Sequence, residues 1–277
     1  MKAIYPSSLL KAARVDEHFA EEAESLSNFP VVYSIEEQRI AGRKFDVESE
    51  TLLYRGWILT PEQYADMEAA VSASGGTLLV STEEYVRTQF GDGWIDIFAH
   101  LTPKTEIFPY HVTEEDFLAG AERLGSEQFV LKGASKSVKH DWENSMFAPN
   151  KKTLVSTLRN FRKHVGPHEE TKLLLREFEH WKSGEARLWW VNGKLSYSNL
   201  HPQSDEDTID WTTLDEFLPH LESNVQRLDC ALITTDLAQT VEGQWRVVEV
   251  GNGQVSQPRH TFAEAVKGTD LGELYGT

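Results

Sequence analysis

Hydrophobic and polar positions along the chain follow two periods. Short apolar runs at residues 2–5 and 30–34 ("PVVYS") predict strands, and Phe19, Ala23 and Leu26, spaced by four and three, predict a helix near 16–27. The best-punctuated unit is "ETLLYRGWILTPEQYADMEAAVSASGGTLLVS". A strand near 51–58 leads to Thr60 as N-cap, Pro61 at the first helical position and Gln63 to close a capping box. Tyr64, Met67 and Val71 form the inward stripe, Gly75 ends the helix, and a strand at 77–81 follows. That strand–helix–strand order predicts a parallel sheet.

The pattern changes after about residue 100. A helix over 114–124 ends at Gly125, the strand "QFVLKG" follows, and a long helix lies near 152–165. Two strands surround Asn192-Gly193, a strong hairpin signal. A helix over 213–228 carries Leu214, Phe217, Leu221, Val225 and Leu228 on one stripe and precedes a hairpin of 231–238 with 244–250. The expected fold class is therefore α/β plus α+β: an N-terminal α/β domain over 1–100, then a region over 101–277 built on antiparallel sheets.

Composition narrows the function classes. The 277 residues carry 44 acidic against 27 basic side chains, a net charge of −17, and so negative a surface disfavours nonspecific nucleic-acid binding. Cys230 is the single cysteine, which excludes an internal disulfide, fits a reducing cytoplasm and reads as core rather than as a nucleophile. The N-terminal stretch is too short in apolar residues for a signal h-region, and no apolar run approaches the ~18 residues of a membrane span. A cytoplasmic protein, monomer or homodimer, is expected. His140, His164, His168, His180 and His201 show no metal-ligand spacing.

Candidate chemistry centres on "WRVVEVGNGQVSQP", where Glu249 interrupts a valine-rich strand just before Gly251-Asn252-Gly253. If the last hairpin turns on Glu242-Gly243 as a two-residue loop, facing residues sum to 485, and Asp236 faces Glu249. Facing like charges destabilise a sheet, so a shared proton, a basic side chain or a divalent cation must offset them. Two carboxylates plus the amide oxygen of Asn252 are hard ligands that suit Mg²⁺. Equally open is a solvated amphipathic hairpin, and a slip of one residue puts the two carboxylates on opposite faces. Basic partners lie upstream. In "FVLKGASKSVKH", Lys132 closes an apolar strand and the small loop after it lets backbone N–H groups approach an anion. In the middle hairpin, Glu177 ends one strand, and Glu185, Arg187 and Trp189 share one face of the next, as phosphate and ribose contacts or as a cross-strand salt bridge.

Taken in order, a lysine, a strand–lysine–small loop, a strand ending in Glu177, Glu185 beyond it, and Asp236 and Glu249 on a terminal hairpin resemble the ATP-grasp superfamily of carboxylate-amine ligases, over about residues 100–260. The small, divergent bacterial and phage ATP-grasp proteins are the most similar. The resemblance implies a pre-ATP-grasp-like domain over 1–100 and an ATP-grasp domain over 101–277. The latter would comprise a lysine-bearing subdomain near 101–178 and a metal-binding one near 179–277. It implies that Lys104, Lys132 and Lys136 contact ATP phosphates, that Glu177 and Phe178 lie beside adenine, and that Glu185 takes the ribose hydroxyls. Arg187 would reach phosphate or an acyl phosphate, with Lys136 and Arg187 as the catalytic pair, and Asp236, Glu249 and Asn252 would hold one or two Mg²⁺. Asn252 falls one position later than the family's Glu-x-Asn pattern. Arg55, at the end of a parallel strand, would hold a substrate carboxylate or form a structural salt bridge, and Gln254 and Ser256 would face the acceptor. The implied activity is ATP- and Mg²⁺-dependent amide formation between a carboxylate and an amine through an acyl phosphate, releasing ADP and phosphate. A phosphotransferase on the same site and a nucleotide-binding module without turnover are the alternatives.

Overall fold

The computed structural model describes residues 1–26, 28–41, 47–135, 137–167, 170–182, 184–204 and 208–276. Two compact units interleave along the chain. The first comprises Met1–Thr88, Gly184–Asp236 and Gly251–Thr277, and the second Gln89–Ser183 and Leu237–Val250. The sequence reading places one boundary near residue 100; residues 184–236 and 251–277 fall in one unit with the first 88 residues.

In the first unit a sheet runs in the order Arg39–Ala41, Val31–Ser34, Lys2–Ser8, Thr51–Tyr54, Thr77–Leu78, with Lys11–Val15 also paired to Lys2–Ser8. Ile4 registers with Val31 and Tyr54, and Leu52 with Leu78, all in parallel, as the strand–helix–strand order predicts. The intervening helix Pro61–Ala73 has the full Thr60/Gln63 capping box, and Tyr64, Met67 and Val71 are fully buried. The helix expected over 16–27 is shorter, a 3₁₀ turn Glu17–Phe19 followed by Ala20–Glu24, and only Ala23 in it is buried. At Asn192-Gly193 both residues have positive φ, 49° and 72°, which closes Val191 onto Lys194 as a tight hairpin. Helix Trp211–Arg227 starts at the Asp210 cap and passes through Pro219, which lies on its exposed face. Leu214, Leu221, Val225 and Leu228 are buried as expected, whereas Phe217 is half-buried.

The second unit holds an antiparallel sheet in the order Thr105–Pro109, Lys172–Glu177, Phe129–Gly133, Phe147–Ala148. Helices Glu114–Leu124 and Leu154–His164 close its core of Phe108, Phe117, Leu131, Leu158, Phe161 and Leu175. Gly125, at φ 68°, ends the first of these helices where the sequence places it.

A third sheet has the order Lys194–Leu200, Ala186–Val191, Leu232–Gln239, Trp245–Asn252, and the division between units falls within its last hairpin. That hairpin corrects the expected two-residue loop. Thr240 N–H donates to Gln244 O and Gly243 N–H to Thr240 O, so the loop is Val241-Glu242-Gly243, with Gly243 at φ 92°. At the open end Gly253 N–H donates to Leu232 O, a pair whose numbers sum to 485 against 484 at the loop. Strand Trp245–Asn252 thus absorbs one extra residue, and its alternation of burial changes phase at Val248-Glu249, as a bulge does. Among the described residues no helix is long and apolar enough to cross a membrane.

Candidate active site

Strand Phe129–Gly133 buries Phe129 and Leu131 and turns Val130 and Lys132 to its other face. From there Lys132 Nζ donates to Glu249 Oε2 at 2.8 Å, with the lysine side chain 12% and the glutamate 40% exposed. The small-residue loop after Lys132 is braced by Glu170, a buried carboxylate that the sequence reading misses. Its Oε2 accepts Ser135 N–H at 2.8 Å, and its Oε1 accepts Thr171 N–H at 3.0 Å. Lys136 lies outside the described residues. Glu177 and Lys104 are held together through the backbone: Glu177 N–H donates to Lys104 O at 2.9 Å, and Glu177 Oε1 accepts Lys104 N–H at 3.0 Å, while the lysine residue is exposed. Phe178 is half-buried, its ring 4.9 Å from Phe147 and from His180.

Arg176 is a further residue the sequence does not single out. It is 4% exposed, donates to Val248 O and Thr102 Oγ1 at 2.7 Å each, and lies over the Trp94 ring. Burial pushes its guanidinium down to about 10, opposed by the charges of Glu249 and Glu179. The strand carrying Glu249 is therefore fixed by a buried cation one residue away.

In the first unit Arg187 and Asp236 form a two-point ion pair, Nε to Oδ1 and Nη2 to Oδ2 at 2.7 Å each, with Asp236 4% exposed. Arg187 Nη1 also donates to Gln257 O at 2.9 Å, and its Nη2 lies 2.8 Å from His201 Nε2. Glu185, His201 and Asp236 each offer one ligand atom, all within 4.8 Å of one another. His201, which has no metal-ligand spacing in the sequence, reaches this cluster because its N–H donates to Glu185 O, continuing the pairing of Ala186 with Leu200. An imidazole makes this set softer than Mg²⁺ favours. Asn199 stands opposite Arg187 in the hairpin register. It is 9% exposed, and its amide has no hydrogen-bond partner among the described residues.

The glycine corner gives three of the expected site residues internal partners. Asn252 is fully buried: its Oδ1 accepts Gln254 N–H at 3.2 Å and its Nδ2 donates to Thr88 Oγ1 at 2.9 Å. The amide is thus committed to its own corner, in contrast to the metal role that the resemblance implies. Gln254 is likewise fully buried, between Tyr54 N–H and Tyr64 Oη, and does not face an acceptor. Arg55, 2% exposed, pairs through Nε and Nη2 with both oxygens of Glu22 at 2.9 Å. Its Nη1 donates to the carbonyls of Gly253, Gln254 and Ser256, and its plane lies 3.9 Å over Phe262. The salt-bridge alternative thus describes the contacts of Arg55. Burial opposes ionisation of Glu22, but the Arg55 guanidinium and hydrogen bonds from Arg55, Tyr5 and Tyr275 hold its carboxyl below the usual range. Ser256 stays half-buried, with Oγ 2.7 Å from Thr234 Oγ1.

Comparison with known proteins places the fold. D-cycloserine synthetase DcsG superposes with a TM-score of 0.62 at 14% identity, covering 97% of this chain and 96% of that one. D-alanyl-alanine synthetase A from Vibrio cholerae O1 biovar eltor gives 0.61 at 11%, covering 99% and 93%. The ATP-grasp ligase PsnB, complexed with a phosphomimetic variant of its minimal precursor, Mg and ADP, gives 0.57 at 9%, covering 95% and 91%. At such identities the likeness speaks to the fold alone, and that fold is ATP-grasp. Comparison by sequence with curated proteins finds no match. The family model "ATP-grasp domain, R2K clade family 3" matches residues 123–271, more than half of the chain, which belongs to that family.

Proposed function

We propose that this chain is an ATP- and Mg²⁺-dependent ligase that joins a carboxylate to an amine through an acyl phosphate, releasing ADP and orthophosphate. One observation carries the reading. Each carboxylate assigned to the metal is ion-paired, within its own unit, to a cation of the type that binds phosphate: Asp236 to Arg187 and Glu249 to Lys132. A partly buried charge stripped of its partner costs several kcal/mol, so the pairs keep the site compensated before a nucleotide arrives. With ATP bound, Arg187 and Lys132 would hold phosphate oxygens and Asp236 and Glu249 would hold the metal, so every charge would keep a partner.

The donor set fits the ion, since Asp236 and Glu249 supply carboxylate oxygens, which Mg²⁺ prefers. Bound there, Mg²⁺ would neutralise phosphate charge. Lys132, with Lys104 and Lys136, holds phosphates; Glu177 and Phe178 flank adenine, and Glu185 takes the ribose hydroxyls. Arg187, already fixed by Gln257 O, holds the transferred phosphoryl group as it passes to the substrate carboxylate. Positioning and charge compensation supply the catalysis, and no side-chain nucleophile is needed. D-Ala-D-Ala-type ligases among the structural relatives support a carboxylate and an amine as the two substrates.

The inward Asn252 favours a second reading, nucleotide binding without turnover. Release of ADP, screened over the twenty amino acids singly and in pairs with mass spectrometry of any hit, separates the readings. An amide product supports the ligase, ADP without amide supports a phosphotransferase, and Mg²⁺-ATP binding with no ADP supports the binding module. Glu249→Gln is expected to abolish Mg²⁺-dependent stabilisation by ATP and, because it leaves the largely buried Lys132 without its partner, to lower the apo melting temperature by several degrees without unfolding the chain at about 25 °C. Unchanged ATP stabilisation would remove Glu249 from the site.

A further inference from the structure

Within the first unit a cavity of about 670 Å³ lies between the Glu17–Phe19 turn, the end of strand Thr51–Tyr54 and residues 255–263. Gln257 lines it, and the carbonyl of the same residue accepts from Arg187 Nη1, so one wall of the cavity also anchors the arginine assigned to the acyl phosphate. We infer that this cavity takes an aryl- or alkylammonium without a carboxylate beside its nitrogen, and, resting on the ligase reading, that this amine is the acceptor.

Charge in the walls decides the class. Among the described residues Arg55 is the only lysine or arginine lining the cavity. It is spent on Glu22 and three backbone carbonyls, so an incoming carboxylate would find no guanidinium. Glu22 is in turn neutralised by Arg55, whereas Glu21 is exposed and forms no ion pair within 4.0 Å among the described residues, which leaves the wall with a negative charge. Among the described residues the other basic side chains in the lining are the imidazoles of His18 and His260. The opposite character comes from aromatic rings. Trp57, 43% exposed, meets His18 at 4.8 Å and Phe19 at 5.1 Å, both edge-on, and Ile58, 41% exposed, extends the apolar wall. An ammonium beside a tryptophan face and a carboxylate is favoured electrostatically on both sides, while an adjacent carboxylate on the ligand would be repelled by Glu21.

The chemistry balances. The bound ammonium loses one proton to solvent, its nitrogen lone pair attacks the acyl carbon, the C–N bond forms and the C–O bond to phosphate breaks. The second proton leaves with orthophosphate as HPO₄²⁻, so the products are a neutral amide and phosphate.

The test uses the full chain without nucleotide. Calorimetric titration with phenethylamine should give binding at least tenfold tighter than with phenylalanine, and Glu21→Gln and Trp57→Ala should each weaken phenethylamine binding by threefold or more. Both side chains are exposed, so the variants should fold, which circular dichroism checks. Equal binding of phenylalanine and phenethylamine, no binding of either, or affinity indifferent to both substitutions overturns the assignment. A second arm separates it from the ligase reading: phenethylamine that binds yet never raises ADP release with any carboxylate leaves the cavity's ligand class standing and refutes its role as acceptor.

Discussion

Removing Arg55 should strand a charge, and the size of the effect follows from its surroundings. The guanidinium is 2% exposed and answers both oxygens of Glu22, whose side chain is 17% exposed. Deleting one member of a buried pair costs about 3–5 kcal/mol, because the remaining charge has neither partner nor water. Arg55→Met keeps apolar bulk over Phe262, so the loss is that of the ion pair together with the Nη1 hydrogen bonds to the Gly253, Gln254 and Ser256 carbonyls. The expected outcome is a melting temperature lower by about 6–20 °C, at roughly 2–4 °C per kcal/mol for a protein of this size. The dependence on pH is the sharper test. In the intact protein the Glu22 carboxyl titrates below its usual range, so its contribution is present above the unfolded value of about 4.3 and is lost only as pH falls through the lower folded value. Without Arg55 burial is opposed only by the hydrogen bonds from Tyr5 and Tyr275, so the carboxyl titrates higher than in the intact protein and protonation relieves the variant as pH drops from 7 towards 5. The gap between the two melting temperatures, followed by tryptophan fluorescence, should therefore narrow on acidification. Glu22→Gln added to Arg55→Met should recover about half of the loss at pH 7, in line with the cost of the stranded charge alone. A loss under about 1 kcal/mol, or a gap independent of pH, would refute the account.

Other outcomes follow from the same contacts. Gly133→Ala places a Cβ on the Glu170 carboxylate, whose Cγ and Cδ would lie 2.8 Å away, and should cost about 1–3 kcal/mol in a thermal melt because Glu170 cannot retreat without releasing Ser135 N–H and Thr171 N–H. Asn252→Ala should destabilise the protein by about 1–3 kcal/mol, yet leave Mg²⁺-dependent ATP binding, measured by calorimetry, intact; lost binding with an unchanged melt would return Asn252 to the metal. Burial pushes the Cys230 thiol up to about 11, so Ellman's reagent at pH 8 should label it only after denaturation. Because Asp236 and Glu249 are neutralised by Arg187 and Lys132, Mg²⁺ alone and ATP alone should each bind at least tenfold more weakly than either does with the other present; additive binding would count against partner exchange.

What could be read from the sequence is what is closed by neighbours in the chain. Thr60 with Gln63, Asn192 with Gly193 and Gly125 at its helix end specify caps and turns from residues at most three apart, and the structure keeps all of them. The ATP-grasp fold was legible through the order of such elements and the placing of charges at strand ends. Buried ion pairs were not, because topology chooses the partner: Arg55 meets Glu22 across 33 positions and Lys132 meets Glu249 across 117. Nothing local marks Glu170 or Arg176 as buried. The hairpin loop was misread for a different reason. Glu242-Gly243 suits a two-residue turn, but a glycine with positive φ serves equally as the last residue of a three-residue loop, and the choice moves the pairings beside the loop by one until the bulge restores the sum at the open end.

That shift bears on the carboxylates, which first drew attention as like charges needing an offset. A shared proton, a basic side chain and a divalent cation stood as alternatives. Among the described residues each carboxylate has the second: Arg187 on Asp236, Lys132 on Glu249. In the proposed cycle the second and third are successive states of one arrangement. An acidic chain of net charge −17 would repel a polyphosphate unless its cations stood ready, and free cations beside buried carboxylates would not stay apart. Pairing them holds both side-chain sets oriented at low electrostatic cost, and on the proposed reading a nucleotide bound with its metal would replace both partners together.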